Sequence, residues 1–209
     1  MLFNSSPPVL LAIGLALVIG ITFHEFSHAL IADQLGDHRP RALGRVSLNP
    51  VRHIDPLGAL AFLLAGFGWG RPVPVNPYAL RPGRSGMAIV AAAGPVANVV
   101  VALVFAIVFR ALRLGDSTFG LVDQIVGNVV LFNVVLGLFN LLPIPPLDGY
   151  NVVLAFVPPR QAFAMQRYAQ YGTLLLLGLI LVSTFEPSGG PIGWLFALAG
   201  LLTRLFIGA

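Results

Sequence analysis

The chain has no cysteine and no lysine, and only 10% of its 209 residues are charged. Without cysteine, disulfides and thiolate metal sites are excluded, and any metal must be held by imidazole or carboxylate. A soluble domain carries about 25% charged residues. With 57% hydrophobic residues and a mean hydropathy of +0.88, this chain has too little polar surface to cover itself in water. There is no long internal repeat, no low-complexity linker and no room between apolar runs for a soluble domain of substantial size. The composition predicts an all-α polytopic membrane protein whose 209 residues form a single membrane-embedded domain, with a core at 8–155 and additional helices at 168–208.

All twelve basic residues are arginine, and they sit in short loops between apolar runs. That placement reads as membrane topology rather than a phosphate-binding face, so no nucleic-acid partner is expected. Runs long enough for the roughly 20-residue crossing of a bilayer lie at about 8–32, 87–112, 120–142, 168–185 and 191–208. Turn-forming residues at 113–117 and 186–191 separate neighbouring runs. The first run lacks a preceding basic stretch and is too long for a signal peptide, so it reads as a retained helix. The apolar stretch 57–70 has 14 residues and is rich in glycine, which suits a re-entrant or interfacial segment better than a crossing.

Whether 57–70 crosses decides which side each later loop faces. If it does not, ten arginines share one side and only Arg110 and Arg113 face the other. By the positive-inside rule the arginine-rich side is then cytoplasmic. If it does cross, the split becomes six to six and the bias vanishes. The expected topology is therefore five crossings plus a dipping segment, with the N-terminus outside and the C-terminus inside. The proline-interrupted segment 40–56 is expected to hold a short β-hairpin at the cytoplasmic surface, around 43–48.

Inside the first run stands His24-Glu25-Phe26-Ser27-His28. Histidines at i and i+4 share one helical face, so both imidazoles can converge on one cation. The intervening glutamate is placed to take a proton from a water at that cation, as in zinc metalloproteases. Imidazole and carboxylate inside a membrane helix are costly and mark function. A catalytic zinc takes three protein ligands and leaves one position open. His38, His53, Asp33, Asp37, Asp55, Asp123 and Asp148 are the candidates for the third. Asp123 falls on the outer side, and Asp37 and His38 lie beyond the end of the first helix. Asp148 follows a stretch with three prolines just past the inner end of the span 120–142, on the side of His28. Such irregular backbone at membrane depth is tolerated only against protein or a water-filled cavity.

The His24-to-His28 motif, Gly94-Pro95-Val96-Ala97-Asn98 and the stretch from Asn140 to Leu147-Asp148-Gly149 together resemble the site-2 protease family of intramembrane metalloproteases. Leu48-Asn49-Pro50, His53-Ile54-Asp55-Pro56 and Pro72-Val73-Pro74-Val75-Asn76-Pro77 resemble its short prokaryotic branch. The resemblance implies one Zn2+ held by His24, His28 and Asp148, with Glu25 as general base. It also implies substrates that are themselves membrane-spanning segments, cut in a multi-pass protein of the cell membrane with its active site towards the cytoplasm. No PDZ or CBS segment of the larger members is present. The intramembrane amides of Asn140 and Asn98 are candidates for binding substrate backbone or the developing oxyanion, against a structural role as interhelical glue. His53 reads as an interfacial residue or a supporting partner of the site, and Asn133 as a packing residue. The competing functions are a metal-ion transporter and a non-catalytic zinc-binding membrane scaffold.

Overall fold

A computed structural model describes residues 6–65, 68–81, 83–112, 120–186 and 189–208. The long helices are α1 (Pro7–Gln34), α4 (Arg84–Ala111) and α5 (Leu121–Asn140), with the short α2 (Arg39–Ala42) and α3 (Pro56–Ala65) between the first two. After α5 come α6 (Asp148–Phe156), α7 (Pro159–Tyr168), α8 (Gly172–Phe185) and α9 (Gly193–Ile207). Proline starts α1, where a missing N–H costs nothing. Glycines at positive φ precede α4 (Gly83, 58°) and α5 (Gly120, 50°). Five helical runs are long and apolar enough to cross a membrane: α1, α4, α5, the joined run Pro159–Phe185, and Gly190–Ile207.

α1, α4 and α5 form the bundle that carries the site. In α1 the buried positions Ala12, Ala16, Gly20, His24, His28 and Ala32 recur every fourth residue. In α4 the matching row is Gly86, Val90, Gly94, Asn98, Ala102 and Ala106. In lipid there is little hydrophobic drive between helices, so small residues that let backbones approach supply the packing. Ala16 meets Val101 and Val129, and Ala102 and Ala106 meet Val130, Val134 and Ala199. The large aliphatic side chains of α4 instead point outward, with Val100, Leu103, Val104 and Ile107 exposed as lipid-facing residues would be. In each row a face of small, apolar residues is interrupted by polar ones, His24 and His28 in α1 and Asn98 in α4.

The segment 57–70 leaves and returns on the same side. α3 has ten residues, about 15 Å at 1.5 Å per residue, half the roughly 30 Å of a hydrocarbon core. Ile54 pairs with Gly70 in an isolated antiparallel bridge, and the Arg71 N–H donates to the His53 carbonyl at 2.6 Å. The two arms touch so closely that a Cβ on Gly58 would lie 2.1 Å from the Trp69 oxygen.

Two expectations are corrected. No sheet occurs among the described residues, and the hairpin around 43–48 is absent: Leu43 and Gly44 close α2 in a turn, with Gly44 at φ 68°, followed by a bend. The docking edge expected there therefore has no structural basis. The C-terminus is also not on the side of the site. Arg110, at the far end of α4, donates to the Leu205 carbonyl at 2.5 Å, and Ala199 packs on Ala102 and Ala106. α9 thus runs parallel to α4, placing Arg204 at the remote end. The arginine ratio becomes nine to three and keeps its sign. Counting apolar runs assumed strict alternation through all five, and the partner that α9 selects by packing breaks it.

Candidate metal centre

His24 and His28 project from the buried row of α1 towards Gly94 of α4. Asp148 arrives from a third direction, in the first turn of α6. The stretch before it contains three prolines and cannot continue α5. Gly149 lets the turn close, because a Cβ there would lie 2.1 Å from the Leu141 oxygen. Nε2 of His24 and Nε2 of His28 are 3.0 Å apart, and Asp148 Oδ2 lies 3.1 Å from the first and 3.2 Å from the second.

The other ring nitrogens fix which atoms carry lone pairs. His28 Nδ1 is 2.7 Å from the Val90 carbonyl, which can only accept, so Nδ1 is the donor. Asn98 Nδ2 donates to the Gly20 carbonyl (3.1 Å) and to Asn133 Oδ1 (2.9 Å), which orients its amide. Asn98 Oδ1 then accepts from His24 Nδ1 at 2.7 Å. In the neutral tautomers both Nε2 atoms turn lone pairs on each other and on a carboxylate oxygen. Asp148 Oδ2 is buried and has no hydrogen-bond partner. Three convergent electron pairs of this kind call for a cation.

The donor set fits zinc. Ligand atoms at ~2.0–2.1 Å from a tetrahedral ion stand about 3.3 Å from one another. The observed separations, 3.0 to 3.2 Å, are close to that figure. Two imidazoles and one carboxylate leave the fourth corner open, as in hydrolytic rather than structural sites.

Glu25 stands outside this cluster. Its Oε2 is buried without a hydrogen-bond partner and lies 3.7 Å from an Arg45 guanidinium nitrogen. Its Oε1 faces Gly70, where a Cβ would come within 3.3 Å. Arg45 is 6% exposed. Burial pulls it below the ordinary guanidinium value while the Glu25 carboxylate pulls the other way. At an effective dielectric near 20 the pair attracts by about 4 kcal/mol. Desolvation costs several kcal/mol for each ion, so the pair does not account for itself as a stabilising contact.

The remaining candidates lie elsewhere. Asp33 is engaged by Arg41 at 2.7 Å and His38 at 3.0 Å. Asp37 is held below the usual carboxylate range, chiefly by Arg39, and accepts from the Asn76 N–H at 2.6 Å. Asp55 accepts from the N–H groups of Leu57 and Gly58 at the start of α3. His53 is fully buried rather than interfacial; burial lowers its pKa, and its Nε2 donates to the Ser47 carbonyl at 2.6 Å. Asn98 is spent on holding His24 and both its N–H bonds are used, so an oxyanion role does not fit its geometry. Asn140 ends α5, where its Nδ2 donates back to the Leu136 carbonyl at 3.0 Å. Asn133 extends the chain of amides by donating to the Val129 carbonyl, and nothing in its sequence neighbours marked it out. Outer partners of ligating histidines are worth about 10–100-fold in metal affinity. Asn98→Leu, close in volume, is accordingly expected to weaken zinc binding by about that factor in chelator competition. An unchanged affinity would remove Asn98 from the site.

Residues 112–183, which include Asp148, match the family model described as Peptidase family M50, the site-2 protease family. A Bacillus subtilis (strain 168) protein named "Putative zinc metalloprotease YwhC" is 38% identical over 192 residues, covering 89% of this chain and 85% of that protein. The chain belongs to peptidase family M50. Two mycobacterial proteins named "Putative zinc metalloprotease Rip2" are also similar. The one from Mycobacterium tuberculosis (strain ATCC 25618 / H37Rv) is 31% identical over 195 residues, with 90% of this chain and 74% of that protein covered. The one from Mycolicibacterium smegmatis (strain ATCC 700084 / mc(2)155) is 29% identical over 206 residues, with 90% and 78% covered. No solved structure matches the chain. The three relatives extend the likeness well beyond the segment matched by the family model.

Proposed function

We propose that this M50 chain is a zinc-dependent intramembrane protease that hydrolyses peptide bonds of membrane-spanning substrates. His24, His28 and Asp148 hold the ion and Glu25 acts as the base. The observation that carries this reading is the convergence of three lone pairs inside a bundle of membrane-length helices, beside a carboxylate that is not one of the donors. His28 is six residues and His24 ten residues before the end of α1, or about 9 and 15 Å along the axis. A bond brought to these donors is therefore cut at membrane depth. The arginine bias supports a cytoplasmic position for the end of the bundle nearest the site.

When bound, zinc supplies Lewis-acid activation of water and of the scissile carbonyl. Glu25 accepts the proton of the attacking water and passes it to the leaving amine nitrogen, so one carboxylate serves both halves of the hydrolysis. Asp148 contributes a negative charge, and Asn98 and the Val90 carbonyl hold the two imidazoles in the ligating tautomer. Asn140, at the end of the helix leading to Asp148, is proposed to meet substrate backbone. A metal transporter would leave Glu25 and its buried arginine without a task.

The test uses the full chain purified in detergent and a library of tagged single-span segments. One zinc per chain is expected, with cleavage that is lost on chelation and restored by stoichiometric zinc. Cleavage that continues in zinc-free protein would overturn the reading.

A further inference from the structure

Among the described residues, five arginines hold side-chain hydrogen bonds or ion pairs, and they are of two kinds. Arg39 and Arg41 sit largely exposed on Asp37 and Asp33, while Arg84 and Arg110 donate to carbonyls at the ends of α6 and α9. These four make local or inter-helix contacts away from the three donors. Arg45 is the exception, being buried and aimed at the base. One guanidinium nitrogen donates to the Pro72 carbonyl at 2.9 Å and the other to the Arg71 carbonyl. The second nitrogen also lies 3.7 Å from Glu25 Oε2. Both that oxygen and Arg45 Nε are buried with no hydrogen-bond partner.

Segment 70–72 reaches Glu25 by a second route, since Gly70 lies against Oε1 and is tied to Ile54 by the bridge. The carboxylate thus has the guanidinium beside one oxygen, while the other faces the side of Gly70 that a Cβ would fill. From this geometry we infer that Arg45 is a positioning residue for Glu25, fixing the carboxylate against the 70–72 segment in the orientation that moves the proton. The inference rests on the reading of Glu25 as the base. An arginine suits the task because its planar fork holds two carbonyls and still offers N–H towards a carboxylate. Lysine keeps the charge but not the fork.

The test takes as its probe the tagged single-span segment that the wild-type chain cleaves fastest. A misplacement of about 1 Å at a reacting group can cost around 100-fold in rate. Arg45→Gln is expected to lower kcat by about 10- to 100-fold, with KM within about threefold and one zinc still bound. Arg45→Lys is expected to recover part of the loss. Because Arg45 acts through Glu25, adding Arg45→Gln to Glu25→Gln should produce no further fall in residual turnover, a non-additivity that a scaffold role would not give. The inference is overturned by wild-type kcat in Arg45→Gln, by losses that multiply in the double variant, or by variants that raise KM and shed zinc together. If Glu25→Gln itself cleaves at the wild-type rate, the reading of the base fails and this inference with it. If Glu25→Gln is inactive and Arg45→Gln is not impaired, only the role of Arg45 falls.

Discussion

Glu25→Gln is expected to reduce cleavage by about 1,000-fold or more while leaving one zinc per chain. The amide has nearly the shape of the carboxylate but cannot accept the proton of the attacking water. General acid–base catalysis contributes about 10²- to 10⁴-fold, and here a single group serves both proton transfers. Zinc is retained because Glu25 is not among the three convergent donors, which are His24, His28 and Asp148. The two outcomes are read on one preparation, by metal analysis and by the rate of fragment release from a single-span substrate. A rate within tenfold of wild type would show that another group moves the proton. Loss of zinc would show instead that Glu25 belongs to the donor set.

How far the site could be read from the chain depends on how local each relationship is. His24, Glu25 and His28 stand within five residues of one helix, so their common face follows from helical period alone. Asp148 is 120 positions beyond His28 in the chain, yet it was reachable through topology, because only two of the intervening apolar runs cross. That inference needed 57–70 to return, and the Ile54–Gly70 bridge is the contact that returns it. Asn98 was visible as a costly amide in a membrane helix, but its task was not. An amide serves substrate or protein depending on what its four hydrogen-bonding positions meet, and here His24, Gly20 and Asn133 meet three of them.

Arg45 shows the opposite case. In the sequence it is one of seven arginines in a polar connection, indistinguishable from neighbours that serve topology. Its burial depends on the 71–72 carbonyls folding over it, contacts 26 and 27 residues away in the chain. No periodicity encodes that approach. The direction of α9 is not encoded locally for a related reason. Apolar length tells that a segment can cross, whereas the side on which it ends is set by the helices it packs against, here α4 and α5 through Ala199.

Gly94→Ala is expected to abolish stable zinc binding, with a loss of affinity of at least about 100-fold, while the chain remains folded in the membrane. A Cβ at this position would lie 2.4 Å from His28 Nε2, 2.6 Å from His24 Cε1 and 2.7 Å from His24 Nε2. Those atoms belong to the two imidazoles themselves, so the methyl would occupy the space the ligands need. The rings have no free direction in which to yield, because Nδ1 of each is fixed, by Asn98 in one case and the Val90 carbonyl in the other. Both anchors sit on α4, one turn to either side of Gly94. Moving α4 away from α1 to admit the methyl would therefore lengthen the hydrogen bonds that hold the ligating tautomers. Outer partners of this kind are worth about 10–100-fold each in metal affinity, and both would be strained together. Gly14→Ala supplies the control: it lies in α1 with nothing within 4 Å of its added Cβ, and alanine favours a helix over glycine by roughly 1 kcal/mol. That variant should bind zinc and cleave as the wild type does. Full zinc occupancy in Gly94→Ala under chelator competition would mean that α1 and α4 separate freely, and would sink the account of how this bundle holds its ligands.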